Sequence, residues 1–183
     1  TKARLDPLLR NLGERLRDLV PVLTERTRTT GIGLAGVFPA QEQEAFCREL
    51  LTGMGFSFVR GRADRSTHPF TTMIGEDDVR LTLRFQPDNP LSAIFAALHE
   101  GGHALYDQGF PATLHDTLLA EAPSTGLHEA QARLWENHVG RSAAFWSHHL
   151  PRLQARFPTA LAALDGARFQ RAVNVVRPTL IRA

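Results

Sequence analysis

The sequence predicts a mainly α fold with a small antiparallel β element, and three observations carry that prediction. Apolar residues recur at three- and four-residue spacing over long stretches. Two short segments alternate apolar with polar residues instead, as half-buried strands do. Cap residues, prolines and glycines punctuate the boundaries. With 183 residues and 43% hydrophobic content, the chain suffices for a single domain, 1–183, with a real core.

In chain order, Leu5, Leu8, Leu9, Leu12, Leu16, Leu19, Val20 and Leu23 form an amphipathic helical stripe, kinked or interrupted near Pro21. The arginines between them read as a solvated face. Residues 29–36 are rich in glycine but lack the G-K-[ST] ending of a phosphate loop, so they read as a connection. A helix follows over 39–54, closed by Gly55. Strands are expected at 56–60 and 79–85, with a polar loop containing His68, Pro69 and Phe70 between them. The next helix spans 90–108: Asp88 and Asn89 are caps, Pro90 suits the first turn and Gly109 ends it. A longer helix over 124–148 starts from Ser124 or Thr125. Pro151 and Pro158 mark breaks before a last helix over 161–176.

Composition narrows the function. Lysine plus arginine exceeds aspartate plus glutamate by only two, and no arginine cluster with interleaved aromatics appears, which speaks against nucleic acid as a partner despite a pI near 9.3. No stretch is apolar enough to span a membrane and no secretory signal is visible. The single Cys47 cannot form an internal disulfide and suits a reducing, cytoplasmic location.

The chemistry centres on His99, Glu100, Gly101, Gly102 and His103, which spell H-E-x-x-H inside the 90–108 helix. Residues four apart share a helix face, so both imidazoles can meet one divalent ion. Glu100 is then the general base toward a metal-activated water. Two adjacent glycines cost a helix about 1 kcal/mol each, an expense that signals a close approach to the backbone. Two carboxylates can supply a third ligand: Glu121 in a loop, or Glu129 on the following helix, where it would be held more firmly. His115 and His128 are further candidates.

Other blocks extend the pattern. His68-Pro69-Phe70, Asp78-Val79-Arg80-Leu81-Thr82, the run from His99 to Gly109, and His128-Glu129-Ala130-Gln131 follow one another in order. Together they resemble the H-P-F, D-x-R-x-T, H-E-x-x-H and H-E-S/G-Q motifs of the carboxypeptidase Taq family of zinc metallocarboxypeptidases. The resemblance covers roughly 38–182, with Ala130 standing where the family has Ser or Gly. It implies a helical zinc-metallopeptidase core with the β element beside the active-site cleft. The ligands become His99, His103 and Glu129, the metal Zn2+ (with Co2+ or Mn2+ as alternatives), the reaction removal of C-terminal residues from peptides, and the assembly a homodimer. The long helical regions that flank this part in family members are absent from the chain. Arg182 falls where the family's I/V-R-x-x-A-D motif begins, and the G-x-x-Q-D-x-H-W motif has no counterpart.

Roles for the remaining residues follow. A strand pair at the cleft rim could take an extended peptide by strand addition. His68 would meet the scissile carbonyl, Arg80 or Arg84 a substrate carboxylate, and Tyr106 a developing oxyanion. Arg182 joins the substrate-binding set by resemblance. Asp78 is expected to orient a zinc-bound histidine through its other ring nitrogen. Glu136, seven residues beyond Glu129, either supports the site from behind or pairs with an arginine. An endo-acting oligopeptidase similar to thimet oligopeptidase is the second enzyme reading, and a metal-binding domain without turnover the non-enzyme one.

Overall fold

The structure is a computed structural model that describes residues 2–28, 34–115 and 117–175. The backbone gathers into two compact units, one of residues 1–33 with 167–183 and one of residues 34–166. In the first, helix α1 (Lys2–Arg28) runs without a break through Pro7 and Pro21. The expected interruption is absent: proline removes one helical hydrogen bond, and the Arg17 carbonyl it leaves is on an exposed residue, where water can serve it. Leu5, Leu8, Leu9, Leu12, Leu16 and Leu19 along this helix are exposed.

The larger unit carries the sheet and most of the buried hydrophobic residues. Helix α2 (Ala40–Met54) ends where Gly55, at φ 103, turns left-handed and sends its N–H to the carbonyls of Leu51 and Thr52. The expected strand at 56–60 is instead a turn. Its pattern breaks at Phe58-Val59, and the Gln108 side chain binds both the N–H and the C=O of Ser57 and the C=O of Arg60. Strand β1 (Gly61–Arg65) follows this turn. Strand β2 (Phe70–Gly75) occupies what was read as the end of a loop, and β3 (Asp78–Leu83) returns beside it.

The sheet is therefore not an antiparallel pair but a mixed three-stranded sheet in the order β1-β3-β2. β1 runs parallel to β3, and β2 antiparallel to it with an irregularity between Met73 and Gly75. Thr71 lies opposite Leu81 and Met73 opposite Val79. Alternation puts these residues on one face with buried Leu83, leaving Asp78, Arg80 and Thr72 on the other.

Helix α3 (Pro90–Gln108) lies at the centre, against α2, β2 and β3. Its limits are those expected, with the Asn89 side chain accepting from the Ser92 N–H. The expected helix over 124–148 is divided. Helix α4 (Thr125–Arg133) starts from Ser124, whose hydroxyl accepts from the Leu127 N–H. A π-helical turn (Leu134–Val139) follows, and α5 (Ala143–Arg156) starts afresh from Ser142. Pro151 lies inside α5 rather than breaking it, because Ser147, whose carbonyl loses its partner, is exposed. Of the helix expected over 161–176, α7 (Gly166–Val173) forms the middle, a short α6 (Pro158–Leu161) ends where it was to begin, and residue 176 lies outside the described residues.

The glycine pair of α3 has two separate explanations. A Cβ on Gly102 would lie 2.7 Å from Ala132 Cα and 3.1 Å from the Gln131 carbonyl oxygen, so the backbone of α4 rests directly on it. A Cβ on Gly101 would meet Leu51 Cδ2 at 2.7 Å and Met54 Cε at 2.8 Å, side-chain ends belonging to α2. Flexible side chains can turn aside, whereas backbone cannot. Gly102→Ala should destabilise the fold by about 1–3 kcal/mol from overpacking, only partly offset by about 1 kcal/mol of helix propensity. Gly101→Ala should cost less. Urea unfolding of both variants checks the order, and equal stabilities would refute it.

Candidate metal centre

The close seating of α4 on α3 brings three donors together. His99 and His103 lie one turn apart on α3, their rings edge to face at 4.8 Å between centroids. Glu129 Oε2 stands 3.7 Å from His99 Nε2 and 3.4 Å from His103 Nε2. One ligand atom from each residue lies within 4.8 Å of the others. Donors arranged tetrahedrally at the usual zinc–ligand lengths sit about 3.4 Å apart, so this set fits a small divalent ion with little movement. Glu121, the other carboxylate considered, is exposed.

Protonation chemistry supports the fit. His99 Nδ1 lies 2.9 Å from Glu136 Oε2, and a carboxylate there requires the proton on Nδ1. Nε2 faces another oxygen, Glu129 Oε2, at 3.7 Å, so a neutral His99 ring with its proton on Nδ1 could share a cation with that carboxylate. Burial pushes the Glu136 carboxyl up, but the bond to His99 and the charge of Arg133 outweigh it and hold the group below its ordinary value.

Arg133 closes the ligand helix from behind. Its Nε donates to Glu129 Oε1 and its Nη1 to Glu136 Oε2, both at 2.9 Å. Glu129, Arg133 and Glu136 stand at positions i, i+4 and i+7, one stripe of a helix. A second tie runs beside it: His128 Nε2 meets Asp107 Oδ1 at 3.1 Å, and the His128 ring lies 4.3 Å from that of His103. Burial raises the Asp107 carboxyl above its usual value, against the opposing pull of His128.

Glu100 is only 7% exposed, and its carboxylate Oε2 accepts from the Thr71 hydroxyl at 2.7 Å. Thr71 sits on β2, so the sheet touches the centre through its edge strand. No spacing in the sequence links residues 71 and 100, and Thr71 was not among the expected site residues.

The other expected residues fall elsewhere. Asp78 and Arg80 form a two-pronged ion pair, at 2.6 and 2.7 Å, on the sheet face opposite Thr71. Asp78 is thus engaged by Arg80, and the carboxylate on His99 is Glu136. Thr82, third in the same block, accepts from the Ser66 hydroxyl and the Phe70 N–H and fixes the connection carrying His68. His68 is exposed, its Nδ1 2.8 Å from the Pro69 carbonyl oxygen. Tyr106 packs edge to face on Phe110 and His128. Arg182 lies outside the described residues.

Comparison with known proteins gives a consistent result. The family model described as carboxypeptidase Taq (M32) metallopeptidase matches residues 1–183. "Thermostable carboxypeptidase 1" of Thermus thermophilus is 41% identical over 177 residues, covering 96% of this chain and 34% of that protein. Among solved structures, an M32 carboxypeptidase from Deinococcus radiodurans R1 superposes with a TM-score of 0.84 at 40% identity, over 92% of this chain and 35% of that one. Metallocarboxypeptidase 1 of Trypanosoma cruzi reaches 0.89 at 32% identity, over 99% and 36%. The chain spans about a third of the length of the relatives it matches.

The carboxylate beside His99 Nδ1 is Glu136, while Asp78 pairs with Arg80. If His99 holds a divalent ion, Glu136→Gln should weaken binding of added zinc by about 10–100-fold, the usual effect of losing a carboxylate behind a ligating histidine. Asp78→Ala should leave it unchanged. Calorimetric zinc titration of both variants decides the matter, and a weakened Asp78→Ala with an intact Glu136→Gln would contradict this assignment.

Proposed function

We infer the function from one premise: the chain belongs to the carboxypeptidase Taq (M32) metallopeptidase family. We propose that it hydrolyses peptides from the C-terminal end, with zinc held by His99, His103 and Glu129 and with Glu100 as general base. The observation that carries this reading is the convergence of the H-E-x-x-H pair with Glu129 inside 4.8 Å. Family membership favours removal of C-terminal residues over endo-acting cleavage.

A divalent ion bound there supplies Lewis acidity and makes water nucleophilic near neutral pH. Glu100 accepts the proton of the attacking water and then delivers it to the leaving amine. The Thr71 hydroxyl on Oε2 fixes the orientation of the carboxylate for that transfer. Burial keeps bulk water from competing for that proton. β2 ends the strand order, and its outer edge suits an extended peptide added as a further strand. His68, two residues ahead of β2, and Tyr106, one turn beyond His103, are the side chains on hand for substrate. Arg80, paired with Asp78 on the far face, is the less suited of the expected substrate residues.

The direct test incubates the zinc-loaded chain with a defined peptide and reads the products by mass spectrometry. The expected result is a ladder shortened from the C-terminus. Glu100→Gln should abolish it, with a rate loss of about 100-fold or more, while zinc stays bound. Internal first cuts would support the endo-acting reading, and no products from a folded, zinc-bound chain would count against turnover. Thr71→Val should lower kcat by about 10–100-fold, the worth of a hydrogen bond to a charged group, at little change in KM. Thr71→Ser should restore most of it. Equal kcat in all three forms would remove Thr71 from the machinery.

A further inference from the structure

The two oxygens of Glu129 face different partners. Oε2 is turned to the imidazole nitrogens, at 3.4 and 3.7 Å, while Oε1 accepts from Arg133 Nε at 2.9 Å. The same guanidinium donates through Nη1 to Glu136 Oε2, the atom that also meets His99 Nδ1. Arg133 thereby grips one ligand directly and a second through Glu136. Its side chain is about two-thirds covered, as is that of Glu129, and Glu136 is covered further. In such surroundings charge-assisted bonds are shorter and stronger than neutral ones.

We propose that Arg133 is a positioning residue that makes Glu129 a one-oxygen ligand. The proposal rests on the reading that His99, His103 and Glu129 hold the metal. A free carboxylate can offer a divalent ion both oxygens. The second oxygen would fill the coordination position that a hydrolytic site must keep open for water. With Oε1 held by Nε at 2.9 Å, turning it to the ion would cost that charge-assisted bond, so Oε2 is the favoured donor. The guanidinium charge also draws electron density away from the carboxylate, so Glu129 donates less and the ion remains a stronger Lewis acid. An arginine suits this task better than a lysine, because its planar fork can serve two carboxylates at fixed angles where an ammonium is a single point.

The test reads coordination rather than turnover. The parent chain and Arg133→Met are loaded with zinc for X-ray absorption and with cobalt(II) for visible spectroscopy, with circular dichroism confirming the fold of each. The parent should give one carboxylate oxygen in the first shell and the intense visible bands of low-coordinate cobalt. Arg133→Met should gain an oxygen in the zinc shell, with weaker cobalt bands. Identical shells and spectra in a folded variant would overturn the proposal. A crystal structure of the zinc-loaded parent gives a second route that does not depend on the variant folding. Glu129 Oε1 on Arg133 supports the proposal, and both oxygens on zinc sink it. If the parent takes up no stoichiometric metal, or His103→Ala takes it up unchanged, the metal reading itself fails. That outcome is distinct from a parent that binds metal and a variant that matches it.

Discussion

The centre exists because the backbones of α3 and α4 touch. With no side chain at Gly102, Ala132 of α4 rests against α3, and Glu129 arrives one turn earlier on α4 at the level of the histidines. A spacing wider by even a methyl group would separate Oε2 from the two imidazoles. Gly101 performs the matching task toward α2, admitting Leu51 and Met54. The helix carrying His99 and His103 is thus wedged between two neighbours, and close packing transmits any displacement of either one to the donor atoms.

Close approach concentrates charge, and the structure answers with compensation. Glu100, Glu129 and Glu136 crowd around two imidazoles in a largely covered region. Uncompensated, such carboxylates would be expensive to bury. Arg133 neutralises one charge while binding two of the groups, the Thr71 hydroxyl satisfies a third, and the site retains a net attraction for a cation. The same bonds that lower the burial cost also orient the donors. Electrostatic balance and geometry therefore have a common set of side chains.

Much of this was legible in the sequence wherever the cause was local. The limits of α3 followed from Asn89, Pro90 and Gly109, and the start of α4 from Ser124, because a cap acts within one turn. Glu136 was visible as a position on the Glu129 stripe, and it both backs His99 and pairs with an arginine. Non-local causes were hidden. Nothing near 56–60 announces that Gln108, 51 residues on from Ser57, would bind its backbone as a turn. The parallel pairing of β1 with β3 depends on that turn, so it was missed as well. Thr71 looked like loop because its partners, Leu81 and Glu100, come from two different elements. The face that Arg80 takes was hidden for the same reason: strand periodicity puts it opposite Thr71, but only once β2 is known to lie against α3.

The centre also has a mechanical consequence. His103 and Glu129 belong to separate helices joined by an irregular connection that includes a short 3-10 turn at Ala112–Leu114. An ion bound by both is a cross-link closing that loop. By the chain-entropy argument used for disulfides, a closure of this length removes roughly 3–4 kcal/mol of freedom from the unfolded chain. That is a sizeable part of the about 5–15 kcal/mol by which a domain is stable. The chain has a single cysteine and so no internal disulfide to do this. Chelation would then lower the melting temperature, and metal supply would govern how long the folded protein lasts.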